Sequence, residues 1–258
     1  MTWTVKYSVK PSALSSAVLI EGLPGIGSVG KVVVDFLIDA LKARKLASFS
    51  GIHFPHTVFV NEKNLIELPS IELYYAKCGK RDVLLLGGDA QPVSEEGCYA
   101  FSEKVLDVVE TLGCKEIVTL GGIGLRSVPK NPAVYCTGTE KRVVREFVKG
   151  THLKENLYGV VGPIIGVSGV LLGLAARRKI RAVSLLAETF GHPLYLGVAS
   201  SREVINVLNK KFSLGVSSEL LNEELGALET EFAKRKEFLQ RSSKFGRAKR
   251  REETRYIG

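Results

Sequence analysis

The sequence predicts an α/β protein, with a three-layer α/β/α domain around a mainly parallel sheet, then a carboxy-terminal helical hairpin and a flexible basic tail. Short apolar runs alternate with amphipathic helical segments, and glycine-rich turns separate them. No strand pattern follows Gly191. The 258 residues, 45% of them hydrophobic, suffice for one large core and an appendage.

The amino-terminal half begins with a strand, a glycine turn and a helix. The apolar run Ser16–Glu21 ends at Gly22-Leu23-Pro24-Gly25, and Lys31–Lys42 carries apolar residues at helical spacing. Further strands are predicted at Ala47–Phe54, Thr57–Val60 and Glu67–Lys77. Arg81–Gly88, after the Gly79-Lys80 turn, is apolar without alternation, which is typical of a strand covered on both faces.

The same order repeats in the second half. Glu95–Leu112 has one apolar helical face, and Glu116–Leu120 is a strand that enters a second glycine turn. Later elements are predicted as a strand at Leu157–Val161, a helix at Ser168–Arg178 and a buried strand at Arg181–Ala187. Repeated strand, turn and helix units favour a parallel sheet with helices on both faces.

Three regions are expected: an α/β domain at 1–200, a helical extension at 201–240 and a flexible basic tail at 241–258. Helices are predicted at Ser201–Phe212 and Ser217–Gln240. The second helix carries an apolar stripe, which we expect to pack against the body or a neighbouring copy. The stripe consists of Leu221, Leu225, Leu228, Phe232 and Leu239.

A net charge of +9 raises the question of nucleic-acid binding. Seven basic and two acidic residues follow Gln240, so the tail carries +5 and the body about +4. A charge run of this kind is usually solvated, and we do not expect nucleic acid as a partner. The apolar stretch Val160–Ala176 is broken by Pro163, and the first residues lack the order of a secretory signal. We therefore expect no membrane span and a cytoplasmic protein.

Neither a metal site nor a catalytic constellation is predicted. The cysteines lie sixteen or more residues apart, so we expect reduced, mostly buried thiols. They are Cys78, Cys98, Cys114 and Cys136. The pair His53 and His56 surrounds a proline and is interpreted as structural. The segment Gly166–Val170 lacks the second glycine of a nucleophile elbow, so no catalytic residue and no cofactor is predicted.

The glycine loop, residues 25–31, leaves two readings open. Gly25, Gly27 and Gly30 fit a dinucleotide fingerprint, but no acidic residue for the ribose stands between 48 and 61. With Lys31 the loop approaches a P-loop, although Val32 occupies the place of the magnesium-binding hydroxyl. The favoured reading is a tight turn that allows close packing of helix and sheet. The alternative is a nucleotide- or phosphate-binding, ligase-like enzyme.

Residues 20–31, Ile-Glu-Gly-Leu-Pro-Gly-Ile-Gly-Ser-Val-Gly-Lys, resemble the signature of the proteasome assembly chaperone family, particularly its archaeal branch. Similar motifs recur at 86–92, 120–124, 166–169 and 187–189, so the resemblance covers roughly residues 15–240. It implies an α/β/α domain with appended helices, self-assembly, and contact with the proteasome core particle without nucleotide. A related chaperone chain is a further possible partner under this resemblance.

The resemblance also implies a role for the end of the chain. Proteasome-binding relatives often end in a hydrophobic residue, a tyrosine and a final residue, whose carboxylate pairs with a lysine between α subunits. Here the expected partner-binding residues are Tyr256, Ile257 and Gly258, and Ile257 stands where the tyrosine is expected. The function expected is that of an ATP-independent, non-catalytic chaperone that binds the core particle or its α subunits to assist assembly or docking.

Overall fold

An eight-stranded sheet organises the chain up to residue 217. The computed structural model describes residues 3–9, 14, 16–157, 159, 162–193, 195–230, 232 and 234. The strands of this sheet are β1 (Trp3–Tyr7), β2 (Ala17–Glu21), β3 (Arg44–Gly51), β6 (Ile71–Cys78), β7 (Arg81–Gly88), β8 (Cys114–Leu125), β9 (Val134–Gly138) and β10 (Arg181–Phe190). They lie in the order β1-β3-β6-β7-β2-β8-β10-β9. β4 (Phe59–Val60) and β5 (Ile66–Glu67) form a separate two-stranded hairpin.

Helices cover both faces of the sheet. They are α1 (Val29–Ala40), α2 (Glu95–Thr111), α3 (Lys141–Val148), α4 (Val167–Arg177) and α5 (Val198–Phe212). α1 packs with α5, and α2 packs with α4. Leu19, Leu84 and Leu86 belong to the core cluster under α2 and α4, and Gly87, the next residue in β7, faces Val34 of α1. Because successive strand residues point to opposite faces, the two helix pairs form the outer layers. The predicted α/β class is confirmed.

The centre of the sheet is parallel. β7, β2, β8 and β10 are mutually parallel neighbours, and β3 points the same way, whereas β1, β6 and β9 run in the opposite direction. Five of the eight strands therefore share one direction, which confirms a mainly parallel sheet. The antiparallel β6–β7 pair follows from the short turn at Gly79, whose φ is +57°, because a tight turn can join only antiparallel strands.

The central strands are buried on both faces, as their unbroken apolar runs predict. All five residues of β2 are buried, and so are the six residues 82–87 inside β7. In β10 the buried run covers 182–187. This pattern is the one that parallel strands show when helices cover both sides.

Three elements have no counterpart among the predicted ones. β1 forms the edge next to β3, where the buried Trp3 packs on Phe101 with ring centroids 4.8 Å apart and donates Nε1–H to the Gly97 carbonyl at 2.9 Å. β9 forms the other edge beside β10, and α3 follows it with only Val143 and Phe147 buried. The predicted strand at 157–161 falls largely outside the described residues.

The chain divides into two compact units, 1–217 and 218–258. α5 belongs to the first unit and packs on α1 and β10. In the second unit residues 218–230 are helical, within the predicted Ser217–Gln240 helix. The basic tail, 241–258, lies outside the described residues. No helix in the described part of the chain is long and apolar enough to cross a membrane.

Candidate functional site

The glycine loop lies at the carboxyl ends of the central parallel strands. It follows β2, whose last residue, Glu21, is paired with Leu86 of β7 and Thr119 of β8. A single 3₁₀ turn, Ile26–Ser28, leads from the loop into α1. In open α/β sheets ligands bind at the carboxyl ends of the strands. The position of the loop is therefore compatible with both interpretations of its sequence, a tight structural turn and a phosphate-binding loop.

Close packing explains three glycines around this loop. A Cβ on Gly22 would lie 2.1 Å from the Gly30 carbonyl oxygen, and one on Gly30 would lie 3.0 Å from the Leu120 oxygen. Gly27 has φ +61°, and a Cβ there would lie 2.5 Å from Thr189 Oγ1. The Gly27 carbonyl also accepts a hydrogen bond from Gly197 N–H at 2.8 Å. The loop backbone is therefore held against the strand ends of β8 and β10.

Gly25 differs from its neighbours in the loop. Its backbone is extended, and a Cβ would meet nothing within 4 Å. Packing therefore does not require glycine at this position, which faces the open side of the loop.

The side chain of Lys31 bonds to residues outside the glycine loop. Its Nζ donates to the Gly88 carbonyl at 3.2 Å and lies 3.0 Å from Asp35 Oδ2 and 3.7 Å from Asp89 Oδ1. A P-loop lysine reaches the β- and γ-phosphates, whereas this ammonium group is neutralised by two carboxylates near the end of β7. Val32, at the position of the magnesium-binding hydroxyl, is buried. The Lys31 ammonium group is thus occupied with other contacts, and residue 32 offers no hydroxyl group for magnesium.

A buried carboxyl group, that of Glu21, lies at the carboxyl end of β2. Glu21 is fully buried, and its Oε1 accepts hydrogen bonds from Leu23 N–H and Ser168 Oγ–H, both at 3.3 Å. Removal from water raises the pKa of Glu21 to about 7, because burial penalises the charged form more than these hydrogen bonds favour it. Glu21 was not among the site residues predicted from the sequence. Its one sequence signal is an acidic residue that ends an otherwise apolar strand.

A cavity of about 480 Å³ opens between the glycine loop and residues 163–168. Its lining is mostly aliphatic side chains and glycine backbone, with Ile26, Ile123 and Ile164 among the largest members. Gln91 and Ser168 are its polar side chains, and none of the described lining residues carries a charge. Such a lining suits an uncharged, largely apolar group better than a phosphate.

Gln91 joins the two walls of this cavity. Its Nε2–H donates to the Pro24 carbonyl at 2.5 Å, while its Oε1 accepts from Val167 N–H, at the start of α4, at 2.9 Å. Gly166, with φ +85°, allows this approach, since a Cβ there would lie 2.5 Å from Gln91 Oε1. Both ends of the amide are therefore bonded to the protein.

The four cysteines and His53 have structural surroundings. All four cysteines are free and buried, as predicted. Burial raises the pKa of Cys114 to about 11 and that of Cys136 to about 12, which leaves both thiols protonated and poorly reactive near neutral pH. His53 Nδ1 lies 3.0 Å from Ser94 Oγ, and its ring stacks on Trp3. Within the described ranges no cluster of three His, Cys, Asp or Glu side chains could hold a metal.

The other predicted site residues belong to the second unit. In the apolar stripe Leu221 and Leu225 are buried, and Leu228 and Phe232 are half-buried. Leu239 and the partner-binding residues Tyr256, Ile257 and Gly258 lie outside the described residues. The roles assigned to the stripe and to the chain end therefore stay predictions.

Comparisons with known proteins agree with this fold. The chain resembles PbaB of Pyrococcus furiosus, an archaeal proteasome activator, with 30% identity, a TM-score of 0.79 and coverage of 91% of this chain and 99% of PbaB. PbaA of the same organism, an archaeal homolog of proteasome-assembly chaperone, has a similar fold, with 22% identity, a TM-score of 0.71 and full coverage of both chains. The uncharacterized protein MJ1210 of Methanocaldococcus jannaschii is 29% identical over 250 residues, which cover 95% of this chain and 93% of MJ1210.

The model of the PAC2 family matches residues 19–235. This range begins in β2 and includes the glycine loop, every later strand of the sheet and the helix at 218–230, whereas β1 precedes it. This match, together with the likeness to PbaB and PbaA, confirms the resemblance inferred from residues 20–31. We conclude that the chain belongs to the PAC2 family.

Proposed function

We propose that this protein is a proteasome-associated chaperone, which binds the core particle or its α subunits to assist assembly or docking. The observation that carries the proposal is the likeness to PbaB, because it extends over 91% of this chain and 99% of PbaB at 30% identity. The proposal places the protein in the archaeal cytoplasm.

The proposed activity needs neither catalysis nor ATP. Lys31 is bonded to Gly88, Asp35 and Asp89, and the cavity beside the loop has an uncharged lining. Both features support a structural role for the loop. The protein would act through binding energy alone, by holding proteasome subunits in a productive arrangement.

In the proposed mechanism several copies bind together. The chain assembles with itself, so that each copy presents one basic tail that ends in Tyr256, Ile257 and Gly258. A single tail offers one terminal carboxylate, one aromatic ring and one aliphatic side chain, which make a weak anchor. Several tails on one body act at a high effective concentration, so their combined affinity can exceed that of one tail by about 10²–10⁴. The apolar stripe from Leu221 would support this assembly.

Co-sedimentation with purified core particles and with isolated α-subunit rings tests the proposal. Three proteins are compared: the intact chain, a chain that lacks residues 256–258, and the variant Phe245→Ala, which alters another aromatic residue of the same tail. We expect the intact chain and Phe245→Ala to sediment with the particle and the truncated chain to remain in the supernatant. Binding that survives truncation would move the contact to the body. If the intact chain binds neither the core particle nor the α-subunit rings at low salt, the proposed function is wrong.

A further inference from the structure

The cavity beside the glycine loop lies where two connections of the chain diverge. β2 and β7 are parallel neighbours, and the helices that follow them, α1 and α2, lie on opposite faces of the sheet. Leu23 and Ile26, from the first connection, and Gln91, from the second, all line the cavity. In open α/β sheets a crevice of this kind, at the carboxyl ends of the strands, is the usual position of a ligand. Its volume of about 480 Å³ is within the range of small-molecule sites, roughly 300–1,000 Å³.

A row of buried polar side chains borders the cavity under α4. Glu21 of β2 pairs with Thr119 of β8, which pairs with Ser184 of β10, and all three are fully buried. Two residues earlier in each strand, the side chains belong to the core cluster that includes α4, so the row faces the same helix. Two residues later in β8 and β10, Gly121 and Leu186 line the cavity. The cavity therefore begins where the row ends.

Each member of the row has an oxygen atom without a hydrogen-bond partner among the described residues. These atoms are Glu21 Oε2, Thr119 Oγ1 and Ser184 Oγ. Buried polar groups nearly always have a partner, so three adjacent exceptions are unusual. A ligand that brings hydrogen-bonding atoms to this row would remove the cost of burying them unpaired.

Ser168 connects the row to the cavity. This residue lines the cavity, and its hydroxyl group lies 3.3 Å from both Glu21 Oε1 and the Leu120 carbonyl oxygen. One hydrogen atom shared between two acceptors at this distance makes weak bonds, so the hydroxyl group can turn towards a ligand. Because Oε1 of Glu21 already accepts from Leu23 N–H and Ser168, a proton on this carboxyl group is carried by Oε2. The site thus offers an acceptor at Ser168 and a donor at Glu21.

The rest of the lining determines the body of the ligand. Apart from Gln91 and Ser168, the described side chains of the cavity wall are aliphatic. Ile26 and Ile165 line the cavity and are 51% and 83% exposed, so they lie at its opening. None of the described lining residues carries a charge, and a charged head group would lose its hydration here.

We infer that this cavity binds a small neutral molecule with an aliphatic body and a primary amide head, which donates to Ser168 and accepts from Glu21. A primary amide supplies donors and an acceptor in one uncharged group, which matches the two polar groups of the site. The aliphatic body covers Ile26 and Ile165 at the opening. This inference does not depend on the proposed association with the proteasome.

Titration of hexanamide into the full chain tests the inference. Hexanoate and hexylammonium have alkyl chains of similar length but charged heads, and they are the matched compounds. NMR spectra of the isoleucine methyl groups report binding at Ile26, Ile123 and Ile164 of the cavity, with Ile66 outside it as reference. The titrations are made in mildly acidic solution, below the pKa of Glu21 of about 7.

Three variants locate the bound molecule. Ser168→Ala removes the hydroxyl group that the amide contacts, and Ile165→Asp places a charge at the opening. The control is Ile52→Asp, because Ile52 is 84% exposed and is not among the residues that line the cavity. Circular dichroism checks that each variant is folded, and the exposed position of Ile165 keeps the test available if Ser168→Ala does not fold.

We expect hexanamide to shift the cavity methyl groups saturably, with a Kd of about 1 mM, and the charged compounds to bind at least about tenfold more weakly. Ser168→Ala and Ile165→Asp should each raise the Kd by about tenfold, and Ile52→Asp by less than about twofold. The inference is wrong if hexanamide gives no saturable shift up to its solubility limit, or if either charged compound binds more tightly. It is also wrong if Ser168→Ala, correctly folded, or Ile165→Asp binds hexanamide as the unaltered chain does.

Discussion

Replacing Glu21 by glutamine should remove a pH dependence from the stability of the protein. In the folded chain the pKa of Glu21 is about 7, whereas its usual value is 4.5. Between these values the folded protein holds a proton that the unfolded chain has released, so the free energy of unfolding falls as the pH rises. The stabilisation is fully present below about pH 4.5 and is lost as the pH passes 7. The difference corresponds to roughly 3 kcal/mol.

The measurement is urea unfolding of the unaltered chain and of Glu21→Gln at one protein concentration, from pH 4 to pH 8. Glutamine keeps the shape of the side chain and stays neutral, so contributions from the other titrating groups cancel in the comparison. We expect the unaltered chain to lose roughly 3 kcal/mol more than the variant over this range. Glu155→Gln, at an exposed position, should follow the unaltered chain. Parallel curves for the unaltered chain and Glu21→Gln would refute the assignment of a buried, proton-binding carboxyl group.

Three further predictions concern the glycine loop and the α2–α4 layer. Gly27→Ala should lower the free energy of unfolding in urea by about 2 kcal/mol, because residue 27 has a positive φ and an added Cβ would contact Thr189. Gly25→Ala should lower it by less than about 0.5 kcal/mol. Equal stability of the two variants would contradict the packing argument. The midpoint temperature of thermal unfolding should not rise with millimolar ATP or dinucleotide, either in the unaltered chain or in Lys31→Ala. A rise in the unaltered chain that is absent from Lys31→Ala would favour the phosphate-binding alternative. The guanidinium group of Arg178 contacts three carboxylates of α2, those of Glu103, Asp107 and Glu110. Arg178→Gln should therefore lower the free energy of unfolding by about 1 kcal/mol at low salt and by less at high salt. Arg177→Gln, at the exposed neighbouring position, is the control.

Local patterns predicted the central elements well. β7 was predicted with its observed bounds, because a glycine turn precedes its apolar run and two glycines end it. The start of α2 was predicted at Glu95, and Ser94 caps that helix by accepting from Gly97 N–H at 3.0 Å. In both cases the residues that define the element lie within the element or directly beside it.

Elements that depend on distant partners were not predicted. β9 becomes a strand through its pairing with β10, about fifty residues later, and its own five residues show no clear alternation. The burial of Glu21 follows from contact with Ser168, 147 residues away in the sequence. For Lys31, the helical spacing to Asp35 is visible in the sequence, but the approach of Asp89 depends on the parallel pairing of β2 and β7. Spacing along the chain carries no information about such contacts.

The double hydrogen bond of Gln91 makes the width of the cleft a property of one side chain. Pro24 and Val167 belong to connections that lie more than one hundred and forty residues apart, yet the length of a single amide sets their separation. A shorter side chain would release both walls at once, so the conformation of the glycine loop and the start of α4 should vary together. A molecule that enters the cavity and displaces this amide would therefore affect both α1 and α4, which lie on opposite sides of the sheet.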